Sequence, residues 1–227
     1  MEYRLVEDYY RQEHFDFYTS YGSAFYSATV PFDITAVKQL SERRGHSIYL
    51  TLCYTFTRAA QAVEDLRYRV RDGRIVLYRE LHPSLTVAVS DGRFSFAHLR
   101  YDPDPEAFFR AAEPVLERAR RRVTLAESVH QNYLYFTALP AVPFTAFSHA
   151  QSGDPTDAAP RVAFGRFYRQ RGRLFVPVGI QVSHVFIDGR ALGELVEGVQ
   201  TLFADPEGHG GPQTHPPSPG SEAGWPS

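Results

Sequence analysis

The sequence predicts a mixed α+β fold of the layered α/β kind, in which helices pack on one side of a mixed sheet. Three observations point there. Strand-like runs flank glycine turns at Asp72-Gly73, Asp91-Gly92 and Arg171-Gly172, which is hairpin punctuation. Four longer stretches read as helices, one of them with apolar residues at clear helical spacing. The two patterns alternate along the chain without an internal repeat.

Charges interleaved with aromatics predict a short helix within 3–18, ending at the turn Tyr21-Gly22. Loose alternation over 25–32 predicts a strand. Thr35 is placed to cap a helix that ends near Arg44, with Gly45 as its stop. Ser47 is placed to cap a second helix, 48–63. Residues 68–78 alternate around Asp72-Gly73 and predict a hairpin, and 85–89 with 94–99 predict another strand pair. Asp104 or Pro105 opens a helix over 106–122, in which Pro114 predicts a kink or a break. Strands are expected at 133–139 and 144–148, then a pair, 162–168 and 174–182, around Arg171-Gly172. Asp188 leads into a last helix, 190–203. Residues 1–205 are thus expected to form one domain. Gly, Pro, Ser and His without apolar periodicity predict a disordered tail over 206–227, whose His209 and His215 are read as solvated.

Composition narrows the function classes. With 43% hydrophobic residues, 17 Phe and 14 Tyr, the chain can build both a core and an aromatic-lined pocket. A net charge of −2 gives no basic field for nucleic acid. The arginines at 43–44 and 118–122 read as solvated helix ends. One cysteine, Cys53, excludes an intrachain disulfide and a Cys-rich zinc site, and its apolar surroundings make it a small buried filler. No apolar stretch reaches the roughly 18 residues of a membrane span, and the first residues carry acids and arginines. A cytoplasmic protein without membrane or metal is expected.

Chemistry concentrates at residues 181–189, Gln-Val-Ser-His-Val-Phe-Ile-Asp-Gly. A histidine closes a strand-like run and an Asp-Gly turn follows four residues later. The strand fixes the backbone, the imidazole can protrude from its end, and a group that titrates near neutrality can take a proton from a hydroxyl. The bland alternative is a satisfied histidine at a strand end, and nine residues alone do not separate the two.

The rest of the chain does. Residues 11–18 (Arg-Gln-Glu-His-Phe-Asp-Phe-Tyr), 66–73 (Leu-Arg-Tyr-Arg-Val-Arg-Asp-Gly), 82–87 (His-Pro-Ser-Leu-Thr-Val), 138–147 with its Ala-Leu-Pro and Phe-Thr-Ala-Phe, and His184 to Gly189 occur in order at compatible spacing. In these the chain resembles the chloramphenicol acetyltransferases over about 9–203. The resemblance implies that family's layered fold, a homotrimer with active sites at the subunit interfaces, acetyl-CoA as co-substrate and a small-molecule acceptor. It implies that His184 is the general base and that Asp188 holds its loop through an ion pair with Arg11. It places Phe17, Tyr18, Tyr26, Tyr133, Phe144, Ala146 and Ala163 at the substrate.

Some of these positions depart from the family. Ala146 stands where a serine of Phe-x-Ser-Phe stabilises the oxyanion, and Ala163 where a threonine helps organise a water. Losing one oxyanion donor costs about 100- to 1000-fold in rate. On the expected 144–148 strand Thr145 would point away from the Ala146 side, and Ser148 would sit about 7 Å along it. Ala141 replaces a tryptophan, and Ser183 a second histidine. No lysine remains for the adenine end of CoA, only arginines such as Arg166. Three readings follow: O-acetyl transfer to chloramphenicol or another small alcohol; CoA-independent proton abstraction or cyclisation in natural-product biosynthesis; or non-catalytic binding. The breadth of the resemblance favours acetyl transfer.

Overall fold

In a computed structural model, residues 2–125 and 131–208 are described. The chain runs β1 (Tyr3–Leu5), α1 (Gln12–Thr19), β2 (Phe25–Asp33), α2 (Thr35–Arg44), α3 (Ile48–Ala60), a 3-10 turn (Glu64–Arg67), β3 (Tyr68–Arg71), β4 (Arg74–Tyr78), β5 (His82–Ala88) and β6 (Phe94–His98). It continues through α4 (Pro105–Arg121), β7 (Tyr133–Ala138), β8 (Arg161–Phe164), β9 (Tyr168–Gln170), β10 (Arg173–Ser183) and α5 (Gly189–Ala204).

The main sheet has the order β2-β10-β8-β7-β5-β6, with β9 added to β10. The β5–β7 and β7–β8 pairs are parallel and the rest antiparallel, so the sheet is mixed, as expected. Strand side chains alternate between faces. On β10 the set Val176, Val178, Ile180 and Val182 enters the core, where it joins Phe56 of α3, Phe108 of α4 and Val199 of α5. The helices therefore cover one face. The other face is overlaid at β8 and β10 by the segment 139–160. There a methyl group on Gly179 would meet Phe147 at 3.2 Å, and one on Gly165 would meet the Phe144 ring at 2.9 Å.

Local signals were good where chemistry is local. Asp72 and Gly73 both take positive φ, 51° and 72°, as a tight hairpin turn requires. Gly45 ends α2 with φ 66°. The Asp104 side chain accepts the Glu106 amide and caps α4.

Other expectations are corrected. Residues 3–5 form a strand that pairs with β4 (Tyr3↔Tyr78), so the N-terminal helix is only Gln12–Thr19. Thr35 is the first residue of α2, and Asp33 accepts from both its amide and its hydroxyl. Ser47 stands at the N-cap of α3 as expected but makes no capping side-chain bond, and α3 ends at Ala60. Of the two outcomes expected at Pro114, a break does not occur: α4 runs through it without interruption, with Pro114 on the exposed side. The expected strand 162–168 splits into β8 and β9. Residues 144–148 are not a strand; the nearby backbone bonds run instead from Leu139 to Phe164 and from Arg166 to Val142, so Thr145, Ala146 and Ser148 do not share a sheet's alternation. The expected tail falls outside the described residues beyond 208, with His209 and His215. Pro206 to Gly208 are held on α2 and α3, with Glu207 paired to Arg43 and Arg44.

Candidate active site

β10 is flanked to its end by β2, with Ser183 opposite Phe25. Just past it, the His184 amide donates to the Ala24 carbonyl (2.9 Å) and the Ile187 amide to the Ser183 carbonyl (2.9 Å), which sets the turn. The imidazole stacks on Tyr18 from the end of α1 (centroids 4.8 Å, 9°) and on Tyr26 of β2 (4.1 Å, 24°). Tyr26 donates its hydroxyl to the Ile187 carbonyl at 3.3 Å. Phe17, 56% exposed, and Tyr21 extend this aromatic rim from Tyr18 into solvent. The residue is half-buried, and the two aromatics fix the plane of its ring.

The turn is pinned from α1 and α5. Arg11 Nη1 donates to Asp188 Oδ2 at 2.8 Å, and Nη2 donates to the Phe186 carbonyl and the Tyr9 hydroxyl. Asp188 Oδ1 also caps α5 through the Ala191 amide (2.9 Å). Sequence reasoning foresaw the Arg11–Asp188 pair but missed two further members. Asp65, 2% exposed, lies 3.2 Å from Arg11, and Arg190 pairs with its other oxygen at 2.8 Å. The available signals were weak: Asp65 immediately precedes the 66–73 motif and Arg190 directly follows Asp-Gly, yet each reads as a solvated charge. Replacing Arg11 by Met should destabilise the protein by about 1–3 kcal/mol, mostly through Asp65, which loses one of its two cations but keeps Arg190, since Asp188 is 42% exposed. Urea unfolding of the two proteins measures this.

The charges shape the histidine. Burial lowers the His184 pKa below its ordinary value and Arg11 adds to that, while Asp188 and a backbone hydrogen bond with Ile187 oppose it. Burial alone would raise Asp188; the Ala191 amide, Arg11 and Arg190 outweigh it and hold the carboxyl below its ordinary value. Burial, with Asp188 nearby, pushes Tyr26 up to about 12, so it stays a neutral phenol. At neutral pH the site therefore presents a neutral imidazole beside an ionised, bridged carboxylate.

The remaining expected residues lie elsewhere in the same chain. Tyr133 begins β7, buried against the His98 ring at 4.8 Å. Ala163 is opposite Gly179 on the face away from the helices and is fully buried. Phe144 sits over that face beside Phe147, and Ala146 is exposed between them. One chain thus brings Tyr18 and Tyr26 to His184, leaves Phe17 exposed against Tyr18 and Tyr21, and carries Tyr133, Phe144, Ala146 and Ala163 on or over its opposite sheet face.

Among the described residues no helix is long and apolar enough to cross a membrane, and no cluster of three or more His, Cys, Asp or Glu could hold a metal. Comparison with known proteins places the architecture. A profile of the chloramphenicol acetyltransferases matches residues 1–200. A chloramphenicol acetyltransferase of Bacillus pumilus is 27% identical over 88% of this chain and 92% of its own length. Chloramphenicol acetyltransferase 3 of Escherichia coli is 26% identical over 87% and 94%. A solved chloramphenicol acetyltransferase superposes with TM-score 0.78 at 22% identity, over 88% of this chain and 99% of that one. The dihydrolipoamide acetyltransferase of Azotobacter vinelandii superposes at 0.60 with 18% identity, over 86% of each chain. The fold is thus shared with a chloramphenicol acetyltransferase and a dihydrolipoamide acetyltransferase, and the chain belongs to the chloramphenicol acetyltransferase family.

Proposed function

We propose that this chain transfers an acetyl group from acetyl-CoA to the hydroxyl of a small molecule, chloramphenicol or a related alcohol, with His184 as general base. The observation that carries the reading is the pinned imidazole, stacked on Tyr18 and Tyr26 at the end of β10. His184 removes the acceptor's hydroxyl proton as the oxygen attacks the thioester carbonyl. A C–O bond forms, the C–S bond breaks, and the proton leaves with the CoA sulfur.

The site is completed by a second copy of the chain in a homotrimer. Support comes from the sheet face without helices, which carries half-exposed Phe94 and the rings of Phe96 and His98. Residues assigned to one pocket by the family resemblance lie on opposite faces of one chain, and only neighbouring copies can bring them together.

The test is thiol release from acetyl-CoA with chloramphenicol present, followed against pH. Because burial depresses the His184 pKa, the base is already neutral at pH 7. The kcat/KM should rise from acid pH through a midpoint below about 6.5 and be flat above it. No thiol release with any small alcohol would overturn the reading. It would favour a second one, a CoA-independent proton abstraction or cyclisation. That alternative draws on Ala146 and Ala163, which offer no hydroxyl to a thioester oxyanion.

A further inference from the structure

Asp65 is a carboxylate sealed from solvent in the 3-10 turn between α3 and β3. Its Oδ1 faces the Tyr10 hydroxyl and Arg11 Nη2, both at 3.2 Å, and its Oδ2 accepts from Arg190 Nη2 at 2.8 Å. Arg190 continues to Glu194 at 2.6 Å within α5. Asp65 therefore ties together four separated pieces of chain: the approach to α1, the 3-10 turn, the turn after β10 and the start of α5.

A guanidinium is a rigid planar fork, so fixing one of its edges fixes the other. Asp188, the Phe186 carbonyl and the Tyr9 hydroxyl also hold Arg11, but Asp65 is its only fully buried carboxylate partner among the described residues. With Nη2 placed by Asp65, Nη1 is aimed at Asp188 and the Phe186 carbonyl is clasped. Those two groups lie four and two residues after His184. We propose that Asp65 is a positioning residue of the His184 site, acting through Arg11, and that Arg190 is the counter-ion that lets a carboxylate be buried there. The inference rests on His184 as the base, but its test does not require turnover.

The groups facing Asp65 are Arg11, Arg190, Tyr10 and Asp188. Those acting on His184 are Asp188 and Arg11, with Tyr18 and Tyr26 against the ring. The His184 titration is followed by NMR in protein labelled with nitrogen-15 histidine, the signal being assigned by its loss in His184→Gln. Asp65→Asn removes one of the two carboxylates that offset Arg11 and should lower the His184 midpoint. Arg190→Met removes a cation and should raise it. A midpoint unchanged in both, or moved the same way in both, overturns the proposal, because loosened packing alone gives no sign reversal. If Asp65→Asn does not fold, Arg190→Met at its half-exposed position decides by the rise alone. Where the wild type transfers acetyl groups, Asp65→Asn should also lower kcat by up to about 100-fold with KM little changed, and an unchanged kcat overturns the proposal. A wild type without transfer removes the assigned reaction and leaves the NMR result standing.

Discussion

Replacing His184 by alanine should reduce acetyl transfer by about 100- to 10,000-fold, the usual contribution of a positioned base. The fold should survive. The ring is half-buried and packs on Tyr18 and Tyr26 at its faces, while the backbone bonds of the turn, from His184 to Ala24 and Ile187 to Ser183, do not use the side chain. Steady-state thiol release, with a thermal melt as control, separates lost chemistry from lost structure. Retention of full activity would mean that the proton leaves the acceptor by another route.

Introducing a hydroxyl at Ala146 should raise acetyl transfer by about 100- to 1000-fold if the reaction is limited by a missing oxyanion donor. The position tolerates the change: Ala146 is exposed between Phe144 and Phe147 in the segment 139–160, and one added oxygen displaces nothing buried. Burst and steady-state rates of Ala146→Ser measure it. No change would mean that the tetrahedral intermediate is stabilised elsewhere or is not formed. Thr145 and Ser148 are both exposed in an irregular segment. Neither hydroxyl is barred from the site by strand alternation, so their removal in the same assay distinguishes a substitute donor from an absent one.

The parts of the structure legible in the sequence are those decided within a few residues. The Asp72-Gly73 turn, the stop at Gly45 and the cap at Asp104 each depend on one local conformation or one side-chain bond. The short N-terminal helix is present as Gln12–Thr19, but residues 3–5 form a strand whose partner, β4, lies more than 70 residues away (Tyr3↔Tyr78), beyond any local pattern. The aromatic residues Phe144 and Phe147 pack down on Gly165 and Gly179 and do not enter a ladder, which a local pattern does not reveal. Pro114 lies off the buried stripe Phe108, Ala112, Leu116 and Ala119, and the helix continues through it.

The site divides in the same way. His184, Asp188 and Arg11 were visible through motifs, and the structure joins all three. Asp65 was invisible because its importance comes from burial beside two arginines distant in sequence. The placement of Tyr133 and Ala163 away from His184 follows from sheet topology, which no spacing argument reaches.

The account stands on a proton acceptor that meets its substrate in a cleft shared by two copies of the chain. A crystal of the assembled protein soaked with acetyl-CoA tests that most directly. The expected result is a trimer with the thioester lying between the His184 imidazole of one subunit and the sheet face bearing Ala163 of the next. A His184 ring open to bulk solvent in the assembly, with no thioester near it, would contradict the account.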